Sequence, residues 1–264
     1  MKLTDEQIGF FETFGYLVLR QCFNRAEMDD ITQQTESLLA ELCDDAHDET
    51  QMESPVGCVE HRPALAWLID DDRVYQPLVQ LLGENMVWGG SEIQRSSDDG
   101  PAEHWFHCDR RNCIDLNLTW AKCMLYLQPM TKDTGALRVM PGSHVPAYAR
   151  RLMPIDQLHI DRAVQTLLSV RPRDLPCEAL ETTPGDLVIF NQFLFHGVFN
   201  KRPNRSYIAI KFIQKPATAA QVEACWPNGQ ISSRLSKSLR NSDRPRIRKM
   251  VEGLFEAERL ADMT

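Results

Sequence analysis

The chain has 264 residues, 43% of them hydrophobic and 25% charged, which is enough for one large globular domain with its own core. A formal net charge of −8 argues against a nucleic-acid partner, because phosphate contacts need a concentrated basic face. No apolar run approaches the length of a membrane span, so no membrane partner is expected.

The opening, Met1-Lys2-Leu3-Thr4-Asp5-Glu6-Gln7, is polar and lacks the apolar stretch of a secretion signal. Thr4 is a candidate N-cap, with Gln7 at the capping-box position and Gly15 as the stop. Tyr16-Leu17-Val18-Leu19 reads as a strand. Asn24 is expected to cap a longer helix through Leu39 and Leu42. An acidic, turn-rich stretch from Asp44 to Glu53 reads as a loop. Helical segments follow around Pro63 to Leu68 and Val74 to Leu82, and Gly83 closes the second.

From about residue 86 the pattern turns to short strands. They fall at Met86 to Trp88, Glu92 to Gln94, Trp105 to Asp109, Ala121 to Leu127, Leu137 to Met140, Leu187 to Phe199 and Ser206 to Ile213. Most are separated by turn signals such as Asp133-Thr134-Gly135, Pro141-Gly142-Ser143 and Pro184-Gly185-Asp186, which predicts a β-sandwich or barrel. Ala147 to Ser169 is a polar insertion with helical character, and the tail from Ala217 is helical. Its basic cluster, Arg244, Arg246, Arg248 and Lys249, reads as a solvated face. The expected organisation is one domain, with helical support over 1–84, a β core over 85–215 and a helical tail over 216–264. The eight cysteines contain no Cys-x-x-Cys pair, which predicts reduced thiols in a cytoplasmic protein and speaks against a structural zinc site.

The chemistry concentrates at Trp105-Phe106-His107-Cys108-Asp109-Arg110. Side chains two apart on a strand point the same way, so His107 and Asp109 can reach one point. An imidazole and a carboxylate are two thirds of the 2-His-1-carboxylate triad that holds non-haem Fe(II) with open positions. His196, in Phe195-His196-Gly197, is the best candidate for the third ligand. His-x-Asp is common by accident, so the pattern gains weight only from its context.

That context is an ordered set. It runs from Gln94 through His107-x-Asp109 and Thr134-Gly135-Ala136-Leu137 to Pro141-Gly142-Ser143-His144. Gly185-Asp186 then precedes a strand to His196, and Arg205 opens the next strand. The set resembles the phytanoyl-CoA dioxygenase-like family of Fe(II)- and 2-oxoglutarate-dependent oxygenases, over roughly residues 4 to 215. The resemblance implies a mainly β protein with flanking helices, built on a double-stranded β-helix, the jelly-roll barrel of the cupin type. It implies that His107, Asp109 and His196 hold the iron and act as the catalytic centre. The cosubstrate 2-oxoglutarate would take two open positions and O2 the last. Succinate and CO2 are released, and the commonest outcome is hydroxylation of an unactivated C–H bond. Asp109 fills the position a halide would need, which disfavours halogenation.

By the same resemblance Arg205 binds the distal carboxylate of 2-oxoglutarate, a task suited to a planar fork that cannot deprotonate. Asn200 to Asn204 reads as a turn that returns the Arg205 strand beside the His196 strand. Gln94 is the candidate for a cosubstrate-contacting glutamine. Relatives carry it in a Gln-Ser-Arg context, where this chain has Gln94-Arg95-Ser96. The serine that assists in some relatives, two positions after the distal histidine, is Val198 here. His144 is expected to be structural or to line the rim, and His104 to flank the pocket. His47, His61 and His159 are expected at the surface or in local bonds.

Fold and triad do not name the substrate. The expectation is a small or medium-sized polar molecule, anionic if Arg110 and Arg111 face the mouth of the barrel, with Trp105 a further candidate contact. The bland alternative pairs these arginines with Asp98, Asp99 or Glu103. Two rival classes are a cupin-like hydrolase or isomerase without 2-oxoglutarate, against which Arg205 argues, and a binding module with a degenerate site, against which the intact triad argues.

Overall fold

In the computed structural model, residues 1–46, 57–97, 102–110, 114–161, 169–226 and 235–262 are described. Thr4 caps helix α1 (Asp5–Phe14) by the reciprocal bonds of a capping box: its hydroxyl accepts from the Gln7 N–H, and Gln7 Oε1 accepts from the Thr4 N–H at 3.0 Å. Gly15, at φ 85°, ends the helix and turns the chain into strand β1 (Tyr16–Leu19). Asn24 and Glu27 exchange the same kind of bonds at the start of α2 (Arg25–Ala46). That helix runs into the stretch expected as an acidic loop, whose remainder lies outside the described residues. Helices α3 (Cys58–His61), α4 (Trp67–Asp70) and α5 (Asp72–Leu82) follow, with Gly83 closing α5 as expected.

The β core comprises β2 (Val87–Arg95), β3 (His104–His107), β4 (Trp120–Tyr126), β5 (Leu137–Val139), β6 (Glu178–Leu180), β7 (Leu187–Asn191), β8 (His196–Val198) and β9 (Ser206–Ile213), with helix α6 (Pro146–Asp161) inserted after β5. Two antiparallel sheets form, a five-stranded one in the order β1-β7-β4-β9-β2 and a four-stranded one in the order β3-β8-β5-β6. This is the two-sheet jelly-roll architecture with flanking helices that the resemblance implied. The strand alternation assigns the faces. Cys123, Leu125, Ile189, Ile208 and Ile210 point outward into one apolar cluster with Ile31, Leu68 and Leu78 of the helices. Met124, Tyr126, Phe190, Tyr207 and Ala209 point inward and meet Leu137, Val139 and Val198 of the other sheet. The five-stranded sheet is thus covered on both faces, and β4 is buried along its whole length.

Three expectations are corrected. The pair of strands around Gly89-Gly90 is one strand, β2, carrying a bulge between Trp88 and Gly90, where Gly90 takes φ 101°. The run from Leu187 to Phe199 is two strands in different sheets, broken where Asn191 Oδ1 accepts from the Phe193 N–H at 3.0 Å. Arg205 does not return beside His196. The turn carries left-handed Asn200 and Asn204 and takes the chain across to the five-stranded sheet, so β9 pairs with β4 and β2. Strand β6, three residues long, had no sequence signal.

The tail forms α7 (Ala219–Cys225), α8 (Lys237–Arg240) and α9 (Pro245–Asp262). Its basic cluster is split. Arg244 and Arg246 pair with Asp70 and Asp72 and fasten α9 to the N-terminal helices, whereas Arg248 and Lys249 face solvent. Among the described residues no helix is long and apolar enough to cross a membrane.

Gly185-Asp186 proves to be a structural joint. Asp186 is buried and accepts from Arg20 Nη1, from the Gln21 N–H and from the Thr183 N–H at 2.9 to 3.0 Å, tying the end of β1 to the start of β7. Gly185 sits at φ 98°, and a Cβ there would lie 2.4 Å from the Phe23 carbonyl oxygen. Gly185→Ala is expected to destabilise by about 2 kcal/mol or more in urea unfolding. Gly9→Ala, in α1 with no atom within 4 Å of the new methyl, should instead gain about 0.5–1 kcal/mol. Equal midpoints for the two variants would contradict this account.

Candidate active site

Register brings the triad together. Strands β3 and β8 pair with His107 directly opposite His196. Strand β3 ends at His107, and Asp109 lies just beyond it, in the turn that follows. Asp109 Oδ1 is 3.4 Å from His107 Nε2 and 3.6 Å from His196 Nε2, and one donor atom from each residue falls within 4.8 Å of the others. Donors about 2.1 Å from one metal in neighbouring octahedral positions lie roughly 3 Å apart, so the three side chains fit an ion with little movement.

The backbone settles which imidazole nitrogen faces that point. His107 Nδ1 is 2.8 Å from the Trp105 carbonyl oxygen, and His196 Nδ1 is 2.8 Å from that of Leu194. A carbonyl can only accept, so each Nδ1 carries the proton and each Nε2 presents a lone pair. Burial pushes His196 down to about 4, which keeps it neutral at ordinary pH, as a ligand must be. Desolvation works against the charged form of Asp109, but in the acid range, where the imidazoles are protonated, His196 and His107 together with Lys122 hold its carboxyl well below the usual carboxylate range.

The Pro-Gly-Ser-His turn supports this geometry from behind. Ser143 is fully buried, and its hydroxyl accepts from the Phe195 N–H at 2.8 Å, while the Met140 N–H donates to the Phe195 carbonyl. Those bonds fix the residue before His196. His144 Nε2 bonds the Glu12 carbonyl at 3.0 Å, the structural role expected of it.

A cavity of about 490 Å³ opens in front of the triad. At one end lies Arg205, 4% exposed. Its Nε donates to the Gly135 carbonyl at 2.7 Å and its Nη2 to the Tyr126 hydroxyl at 3.2 Å, and no carboxylate pairs with it among the described residues. Gln94 lines the same cavity and accepts from the Tyr207 hydroxyl at 2.8 Å. His104 also lines it, stacked on His107.

At the other end the sequence reading missed a buried charge cluster. Lys122 Nζ lies 2.5 Å from Glu92 Oε1 and 4.0 Å from Asp109 Oδ2, and Lys211 pairs with Glu92 Oε2. Burial alone would lower Lys122, but Glu92, Tyr207 and Asp109 raise it above the ordinary lysine value. A signal was available: one charge within each otherwise apolar strand, Trp-Ala-Lys-Cys-Met-Leu-Tyr and Ser-Tyr-Ile-Ala-Ile-Lys-Phe-Ile.

Arg110 lines the cavity, with its guanidinium carbon 3.7 Å above the Trp120 ring. Glu103 is not its partner, being taken by Arg173 and by the Trp105 indole N–H. Trp105 does not line the cavity; its ring packs on the cluster of Phe106 and Phe199. Arg111, Asp98, Asp99 and His47 lie outside the described residues, as does the side chain of His159.

Comparison with known proteins places this site in a class. Residues 11–206 match the family model described as phytanoyl-CoA dioxygenase (PhyH). The chain belongs to that family, and is thereby an Fe(II)- and 2-oxoglutarate-dependent dioxygenase using O2. Among solved structures it is similar to HygX from Streptomyces hygroscopicus with nickel and 2-oxoglutarate bound, at 20% identity and TM-score 0.60, covering 80% of this chain and 87% of that one. It is also similar to EctD from S. alaskensis with bound Fe, at 20% identity and TM-score 0.59, covering 80% of this chain and 76% of that one. The carbocyclase SnoK from nogalamycin biosynthesis is a third neighbour, at 15% identity and TM-score 0.59, covering 82% of this chain and 86% of that one. No curated protein matches the chain in sequence.

Proposed function

We propose that His107, Asp109 and His196 hold the iron, that Arg205 binds the distal carboxylate of 2-oxoglutarate, and that the chain hydroxylates a small or medium-sized polar, anionic metabolite. One observation supports this above the rest: two imidazole lone pairs and a carboxylate converge in a cavity that also holds a buried arginine with no acid beside it among the described residues. When bound, the iron supplies oxidative decarboxylation of 2-oxoglutarate and the oxidation of C–H. The protein's own groups bind and orient. Arg205 offers a carboxylate a fork whose remaining N–H groups are unspent. Tyr126 sits against that guanidinium and is our candidate for the second distal contact, the place Val198 leaves open. Gln94, fixed by Tyr207, contacts the cosubstrate from the adjoining strand. Arg110 and Arg111 are the substrate-side candidates. The whole chain acts as one domain in a reducing cytoplasm.

The test is succinate formation from 2-oxoglutarate across a metabolite panel, with and without Fe(II). Iron-dependent succinate that rises with a polar anionic panel member is expected. Metal-loaded protein forming no succinate would favour the cupin-like hydrolase. The neighbour of Arg205 gives a finer check. Gly135 stands at φ 95°, and a Cβ there would lie 2.7 Å from Arg205 Cδ and 2.9 Å from Nε. Gly135→Ala should displace the guanidinium and raise the 2-oxoglutarate KM about tenfold, a change of ~1.4 kcal/mol. An unaltered KM would detach Arg205 from the cosubstrate.

A further inference from the structure

The inward face of β4 runs along the cavity, with Lys122 and Met124 lining it and Trp120 and Tyr126 outside its lining. Trp120, Lys122, Met124 and Tyr126 alternate onto one face, so the strand runs from Arg110, stacked on Trp120, to Arg205, bonded to Tyr126. At about 3.4 Å per residue these ends are roughly 20 Å apart. Asp109 lies abreast of Lys122, so the triad sits between them. Two anion-binding ends therefore flank the metal site, and the cosubstrate accounts for only one.

The charges show what the second end lacks. Around the iron, the ion, Asp109, 2-oxoglutarate and Arg205 sum to neutrality. Lys201 also lines the cavity, beside Gly135 at the Arg205 end; what remains at the other end is Lys122, Lys211 and Arg110 against the single carboxylate of Glu92, a surplus of two positive charges there. Lys122 and Lys211 are cross-strand partners and share that one carboxylate, each oxygen taking one ammonium. An ammonium has three N–H donors. Among the described residues, the only acid beyond Glu92 that Lys122 faces is Asp109, at 4.0 Å, and Lys211 has no further acidic partner. Arg110 has no hydrogen-bond partner there either, and its Nε is buried without one. Gln192, 1% exposed, lines the same end with its amide nitrogen unpartnered. Surplus buried charge with unspent donors is costly unless a ligand supplies the counter-charge.

We infer that the prime substrate is an organic dianion, a phosphomonoester or a dicarboxylate, whose negative groups dock among Arg110, Lys122 and Lys211. This rests on the proposed oxygenase reading and specifies its substrate class. Neutral and cationic metabolites would leave the surplus unmatched.

The test uses the full chain loaded with Ni(II) in place of iron and saturated with 2-oxoglutarate, titrated by calorimetry. The probes are glycerol 3-phosphate, malate and uncharged glycerol. Glycerol 3-phosphate, malate or both should bind at least tenfold more tightly than glycerol, and which of them binds tells a phosphoryl from a dicarboxylate site. Arg110→Gln and Lys211→Gln each remove one surplus charge and should each weaken the preferred dianion at least tenfold. Circular dichroism confirms that each variant is folded. Equal binding of glycerol and both dianions, or wild-type dianion affinity in both folded variants, overturns the inference. The 2-oxoglutarate titration comes first: its failure in wild type would instead refute the cosubstrate assignment.

Discussion

Alanine in place of His107, Asp109 or His196 should take iron-dependent succinate formation below detection and leave the fold intact. Each substitution removes one of three donors that converge within 4.8 Å, and two cannot hold the ion with the same geometry. Metal content after gel filtration should fall in parallel with activity, and circular dichroism should not change. The three losses are expected to be similar, because the set acts as a unit. Any one variant keeping near-wild-type turnover and iron would remove that residue from the ligand set.

The second large effect belongs to Arg205. Arg205→Ala would withdraw the proposed partner of the cosubstrate's distal carboxylate, a loss of order 2–5 kcal/mol, which is roughly 30-fold or more in the 2-oxoglutarate KM. Arg205→Lys should recover only part, since a point charge replaces a fork and both the Gly135 and Tyr126 contacts are made by guanidinium nitrogens that lysine lacks. Steady-state kinetics at saturating iron measure both. A KM unmoved in Arg205→Ala would remove Arg205 from the cosubstrate site.

Much of this was legible in the sequence because it is encoded locally. The capping boxes at Thr4 and Asn24 and the helix stops at Gly15 and Gly83 are decided by neighbours three or four residues away. His107 and Asp109 lie close along one segment, and the Pro-Gly-Ser-His turn announces the support behind His196. Long-range partners were not legible. Whether the chain turns back or crosses between sheets is decided by which face each strand buries, so the Asn200 to Asn204 turn was read as a hairpin when it is a crossover. The three carboxylate and ammonium groups of Glu92, Lys122 and Lys211 come from strands far apart in sequence and meet only through the β4–β9–β2 register. Arg110 lies past the end of β3, where alternation no longer applies, and it reaches the cavity. Trp105 lies within β3, but a register shift between His104 and His107 breaks the alternation, so His104 and not Trp105 joins His107 at the cavity.

With His107 and His196 opposed across β3 and β8, an iron bound as proposed would be a clamp as well as a reactant. These strands are four and three residues long and sit in the smaller sheet, so few backbone bonds join them. An ion held from both strands would add a tie between β3 and β8 to those bonds. Occupancy then translates directly into resistance to unfolding, by about 1.4 kcal/mol for each tenfold excess of free metal over its Kd. Chelator-treated protein should melt earlier, and a redox-silent divalent ion should restore the melting temperature without restoring turnover.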